Sequence, residues 1–412
     1  MTTSADAGSK PFLFWTSAIF AALVSVSAIH EDAFTLAALP FAILPMLWYA
    51  RTTIAAQREL WIVHAMVLQY LALYAINMAA FPTLSPDYPV KDGEGEFIRF
   101  LLSGLLLLSV PLLARETTRW PVILGWGVVT CFVVLAAFYI FGFGNQGCRV
   151  EAFNRNPLYP PIWMTAIVLA LFGRWIAGAR REIACLYGLV FICSLSAGAF
   201  SGARTILLIQ MLMFPAAAFL LGGSDRWRHL VAIGATIAAG VTAALLLDAA
   251  TGCNLGDRIG KLVEIAQTAD LSQSGEAELG RFETWTQAIA LMPEYWLQGR
   301  GFENERYIVI EEFGSSIHHL HNLYLSWLMG GGIAALLSGL VFLFGPPLVL
   351  LRRYGLRAAW PVIALVAVIG LNGMTTILFY RGFIVATYMV TFTALLAMVV
   401  ADGRKGRTDP TE

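Results

Sequence analysis

Apolar runs long enough to cross a bilayer dominate this sequence and restrict what it can become. A spanning helix needs about 20 mostly apolar residues. Twelve stretches qualify: 12–29, 33–50, 61–81, 98–114, 121–141, 158–176, 183–199, 204–221, 230–249, 321–350, 357–378 and 383–401. The expected fold is therefore an all-α polytopic membrane protein of about twelve transmembrane helices, a single integral membrane domain over residues 1–412. Composition agrees: 58% of residues are hydrophobic and 13% charged, where a soluble chain carries about 25% charge. The run from Phe12 to Ile29 is long enough to span, and no A-x-A cleavage pattern follows it, so it is taken as the first membrane helix. The tenth run is too long for one straight span. It is expected to tilt, or to open with a short interfacial helix, and Pro346 and Pro347 sit near its far end.

Basic residues orient the bundle. With the N-terminus in the cytoplasm, the inner connections hold Arg51 and Arg58; Arg115 and Arg119; Arg174, Arg180 and Arg181; Arg226 and Arg228; and Arg352, Arg353 and Arg357. Lys10 and the tail residues Arg404, Lys405 and Arg407 also fall inside. More than half of the 27 Lys and Arg residues are then cytoplasmic, as the positive-inside rule requires. The one long connection, 250–320, becomes a periplasmic loop. Part of it carries a helical stripe, Leu279, Phe282, Trp285, Ile289 and Met292. That stripe fits an amphipathic helix packed on the bundle or lying at its surface. Lys+Arg and Asp+Glu both number 27, so overall charge gives no reason to expect a nucleic-acid partner.

The spans have almost no ionisable groups in their interiors, whereas ion-coupled transporters place Asp, Glu or His at mid-membrane. Chemistry is therefore expected at a membrane face, and the outer face is the richer one. Several arginines sit there against the charge rule: Arg149, Arg155, Arg204, Arg258, Arg281, Arg300, Arg306 and Arg381. Arg204 and Arg381 flank outer helix ends on very short connections. Snorkelling, or pairing with Glu151, Asp257 or Glu283, accounts for any one of them. Together they suggest an anion site, because Arg pairs bidentately with phosphate or carboxylate.

Three of the six histidines, His318, His319 and His321, fall at the outer mouth of the tenth run. A neutral imidazole there suits proton abstraction from a hydroxyl. His318 and His321 would share a helical face, but no HExxH motif or acidic ligand spacing accompanies them, so no metal is expected. Interfacial anchoring accounts for His318 and His319.

His321-Asn322-Leu323-Tyr324-Leu325, followed by Gly332, resembles the His-Asn opening of the helix after the large loop in the O-antigen ligase and polymerase superfamily. Ala335 departs mildly from that pattern. Gly280-Arg281-Phe282-Glu283-Thr284-Trp285 resembles the family's R-x-x-x-W segment, and Pro293 with Gly299-Arg300-Gly301 its P…G-x-G. Ser201-Gly202-Ala203-Arg204 resembles its S-x-x-R. The resemblance covers about residues 140–400.

It implies a GT-C-like glycosyltransferase bundle in the bacterial inner membrane, acting at the periplasmic face without a cofactor. The implied donor is an undecaprenyl-diphosphate-linked glycan and the implied acceptor of a ligase is lipid A–core. His321 matches the family's catalytic histidine, and Arg204 and Arg281 its essential arginines. Arg149, Arg155, Asn322, Arg300 and Arg381 are the expected further substrate contacts. The rivals are an O-antigen polymerase, a protein O-oligosaccharyltransferase and, from another class, a lipid-glycan flippase, which the bare helix interiors disfavour.

Of the five cysteines, Cys148 and Cys253 fall on outer loops and are predicted to pair in the oxidising periplasm, while Cys131, Cys185 and Cys193 stay reduced in helices. The topology is directly testable. Reporter fusions at Gly314 and Asp402 should read periplasmic and cytoplasmic respectively, and the reverse assignment would displace the whole site.

Overall fold

The computed structural model describes residues 60–81, 101, 104–114, 120–140, 145–146, 149–150, 158–176, 181–200, 204–251, 276–314, 319–376, 378–379 and 382–408. These residues are helical apart from turns and one minimal hairpin, β1 (Asn145–Gln146) paired antiparallel with β2 (Arg149–Val150). The longer helices are α1 (Trp61–Ala80), α2 (Trp120–Ile140), α3 (Tyr159–Ile176), α4 (Arg181–Phe200), α5 (Arg204–Leu221), α6 (Arg226–Thr251), α7 (Glu276–Ala290), α8 (Leu323–Gly373) and α9 (Gly382–Thr408). The limits of α1 to α6 fall within a few residues of apolar runs read from sequence, whereas α8 joins the tenth run to most of the eleventh, α9 extends to Thr408, past the end of its run, and α7 lies in the long connection. The runs 12–29 and 33–50 lie outside the described residues.

Three helices, α1, α2 and α8, are long and apolar enough to cross a membrane; shorter apolar stretches lie in α3, α4, α5 and α9. The helices pack as a bundle in which α8 lies against α1, α3 and α9, while α4 bridges α2, α3 and α6. α3 and α9 are apolar around most of their circumference and are correspondingly buried almost throughout. The outer helices leave Leu208, Leu212, Phe219, Val231 and Leu246 exposed. An apolar exterior of that extent matches a hydrocarbon solvent rather than water.

With apolar groups both inside and out, polar contacts between helices help to set the packing. The Gln210 amide donates to Thr165 Oγ1 at 2.8 Å and to the Ser194 carbonyl at 2.9 Å, joining α5, α3 and α4. Trp327 Nε1 donates to Tyr70 Oη at 2.8 Å, and Trp360 Nε1 to the Leu169 carbonyl at 2.8 Å. Cys131 and Cys193 are buried free thiols; Cys148 and Cys253 lie outside the described residues.

The 51 residues of α8 would make one rod of about 75 Å at 1.5 Å per residue, more than twice a hydrocarbon core of about 30 Å. The backbone leaves helical geometry at Gly331, Gly332 and Gly355. α8 is thus a short opening segment, 323–330, then 333–354, then 356–373. The expected short helix at the start of the tenth run corresponds to the first segment.

The break at 331–332 strands backbone groups that a continuous helix would pair. The segment after α7 fills them. Arg300 N donates to the Met329 carbonyl at 2.7 Å and Gly301 N to the Gly330 carbonyl at 2.8 Å, while Ile333 N donates to the Trp296 carbonyl at 2.7 Å. Asn77 of α1 completes the joint: its amide donates to the Gly330 carbonyl at 3.0 Å, and its Oδ1 accepts from Phe302 N at 3.0 Å. Side chains are excluded here. A Cβ on Gly299 would stand 2.5 Å from the Gly330 carbonyl oxygen, and one on Gly332 2.3 Å from that of Leu297.

Gly332 (φ 66°, ψ −161°) and Gly355 (φ 77°, ψ 171°) share a backbone region open essentially to glycine alone. A Cβ at Gly355 meets nothing within 4 Å. Gly355→Ala should therefore cost only backbone strain, about 1–3 kcal/mol. Gly332→Ala adds a backbone clash and should lower the apparent Tm in detergent clearly further; equal losses would show that the joint does not matter.

Candidate active site

α7 carries Arg281 and Trp285 one turn apart, so both project from one side of the helix. The predicted apolar stripe is split. Thr284 and Ala288 are buried and Trp285 is half-buried, whereas Phe282 and Ile289 lie exposed. The inner face takes a small residue at 288 because Tyr295 folds back over it, donating its hydroxyl proton to the Ala288 carbonyl. Ala288, Tyr295, Ile308, Val309, Phe313 and Leu320 form a small core that seats against Leu328 and Met329 of α8.

This core delivers the turn 319–322 to the mouth of α8. Trp285 Nε1 donates to the Leu320 carbonyl. The Leu320 N–H donates to Oε1 of Glu305 at 2.9 Å. On the other side, Asn322 caps α8, its Oδ1 accepting from Tyr324 N at 3.0 Å and Leu325 N at 3.1 Å. Its Nδ2 donates to the Met374 carbonyl at 3.2 Å. Among the described residues His321, between these pinned neighbours, is the one non-glycine residue with positive φ, 50°. That conformation costs an L-residue about 1–2 kcal/mol and persists only where the surroundings enforce it.

The His321 imidazole is largely withdrawn from solvent. Burial, and secondarily the positive charge of Arg281, push its pKa down from the usual 6.5 to about 4. It is therefore neutral throughout the physiological range and able to accept a proton. The shift from Arg281 is also the physical sign that the two residues share a site. Burial, the larger cause, has no signature in the local sequence.

Arg204 opens α5, and its backbone position relates to the same turn through a relay of contacts. Asn322 bonds Met374, the next residue, Thr375, donates its hydroxyl to Thr205 at 3.2 Å, and Thr205 follows Arg204. The starts of α5 and α8 thus meet at one end of the bundle. Arg300 makes a bidentate pair with Glu312 at 2.5 and 2.8 Å, and Asn322 is occupied as a helix cap. Arg149 lies on β2. Arg155, Arg381 and His318 lie outside the described residues. The His319 ring stands edge-on to that of His321, with centroids 6.3 Å apart. Among the described residues no three His, Cys, Asp or Glu side chains come together as a metal would require.

Glu305 escaped the sequence reading. Its carboxyl is buried, hydrogen-bonded to Leu320 N and to Ser326, and burial raises its pKa to about 7. Nothing in the sequence separates it from Glu311 and Glu312 nearby, which the fold leaves exposed.

No curated protein gives a significant match to the chain. Residues 189–340 match the family model described as O-antigen ligase. That span runs from α4 into α8 and contains Arg204, Arg281, Arg300, His321 and Asn322. The match over residues 189–340 supports a kinship of this region with the O-antigen ligase/polymerase superfamily.

Proposed function

We propose that the protein is an O-antigen ligase that transfers a glycan from undecaprenyl diphosphate to lipid A–core at the periplasmic face of the inner membrane. The observation that carries this reading is the pairing of a buried neutral imidazole, His321, with the charge of Arg281 at the mouth of α8. The family match over residues 189–340 supports the class of reaction, glycosyl transfer in O-antigen processing. The proposed topology has about twelve spans, both termini in the cytoplasm and residues 250–320 outside.

Transfer is inverting and metal-independent in this mechanism. Arg204 and Arg281 hold the diphosphate and stabilise the charge that grows on it as the sugar–phosphate bond breaks. The acceptor hydroxyl attacks the anomeric carbon from the opposite side, and His321 takes its proton. A base with pKa near 4 is weak in the free enzyme. Diphosphate beside Arg281 offsets the guanidinium charge and so raises the imidazole pKa in the complex. The donor thereby prepares its own base.

His321→Ala should lower transfer by roughly 10²–10⁴-fold while donor binding survives. Arg204→Ala and Arg281→Ala should cripple transfer in protein that still inserts. Arg→Lys should also fail, because Lys lacks the bidentate fork; full activity of both Lys variants would rule out the clamp. Purified protein given the lipid-linked donor with either lipid A–core or a second donor molecule separates ligation from polymerisation. Product only from the second pairing would overturn the ligase assignment.

The pH profile gives an independent check. Protonation disables the base, so activity falls on the acid side. For kcat/KM, which reports the free enzyme, the acid limb should lie near pH 4. For kcat it should lie higher, because bound diphosphate raises the His321 pKa. Coincident limbs would sever the link between Arg281, donor and base.

A further inference from the structure

Glu305 is fully enclosed, 2% exposed, yet the mechanism above gives it no part. Its two hydrogen-bonding partners are both neutral, the Leu320 N–H at 2.9 Å and the Ser326 hydroxyl. The charged and titratable groups on the elements around it are Arg306, Tyr307, Glu311 and Glu312 on its own segment, Arg300, which is taken by Glu312, Arg281 and Glu283 on α7, and His319, His321 and Tyr324 on the turn and α8. Burial without a charged partner favours the protonated carboxyl and raises its pKa to about 7, although the two hydrogen bonds act the other way.

A protonated carboxyl must place its own hydrogen. Ser326 Oγ lies 2.8 Å from the Asn322 carbonyl, which can only accept, so the single serine proton goes there. The serine oxygen is then the acceptor for Glu305. The resulting chain runs from Leu320 N–H to Glu305, from the Glu305 O–H to Ser326, and from the Ser326 O–H to the Asn322 carbonyl. It grips the residue before His321 and the residue after it.

We propose that Glu305, as a neutral carboxylic acid, is a positioning residue for the transfer reaction, clamping the turn that presents His321. The inference rests on the reading of His321 as the base. It explains how a histidine is kept at a φ of 50°, with Trp285 holding the Leu320 carbonyl as a second brace.

The test uses full-length protein, synthetic undecaprenyl-diphosphate glycan and lipid A–core. Glu305→Gln retains an acceptor for Leu320 and a donor for Ser326, so it should keep kcat near the wild-type value. Glu305→Ala should lower kcat about a hundredfold, the scale of a displaced catalytic group, with donor KM unchanged. Ser326→Ala, which cuts only the arm to Asn322, should lower kcat in the same sense and covers the case in which Glu305→Ala does not fold. Wild-type kcat should decline as pH rises through about 7, where Glu305 ionises, and Glu305→Gln should abolish that decline. Loss of activity in Glu305→Gln comparable to that in Glu305→Ala, an unchanged alkaline decline in Glu305→Gln, or full kcat in Ser326→Ala would each overturn the proposal. His321→Ala serves as the reference. If it stays active, the reading of the base has failed. If it is inactive while Glu305→Ala matches the wild type, only the clamp has failed.

Discussion

The joint between the 296–301 segment and the break in α8 is the contact on which the rest of this structure depends. A helix interrupted in apolar surroundings has unpaired carbonyls and N–H groups, each costly to bury alone. Here the chain that leaves α7 supplies the missing partners, residue against residue, and Asn77 of α1 closes the remaining gap. Glycine at 299 and 332 lets the two backbones approach to hydrogen-bonding distance. The joint anchors the segment that follows α7 to α8 by main-chain bonds.

Everything at the candidate site is referred to that anchor. The docked segment carries Glu305, and the small core it forms with α7 carries Trp285 and Arg281. These residues hold Leu320 from both its N–H and its carbonyl. α8 holds Asn322 through its cap and through Met374. His321 lies between two fixed neighbours and has little freedom of its own. Such a site is held by hydrogen bonds although half of it comes from the connection between α6 and α8, the kind of segment that ordinarily moves most.

Burial then determines the chemistry. The same enclosure pushes an imidazole down and a carboxyl up, so that His321 is neutral and Glu305 holds its proton to about neutral pH. Both shifts have the same leading cause, burial that disfavours the charged form of each group.

The sequence alone located most of the helices. Apolar runs with polar breaks gave α1 to α6 and the start of α9 to within a few residues, because runs of about 20 apolar residues in a chain this poor in charge have few other uses. His321-Asn322 and the arginines at 204 and 281 were legible as local patterns of residues with strong chemical character. Tertiary structure decided what depends on proximity between distant segments. It divided α8 at Gly331 and Gly332, a break stable only because residues 296–301 and Asn77 are at hand. It turned Phe282 and Ile289 outward while Ala288 faced the core. It gave Arg300 to Glu312, and it buried Glu305 while leaving Glu311 exposed. Those outcomes rest on contacts between residues up to about two hundred and fifty positions apart, and on burial, which a local pattern of residue types does not contain.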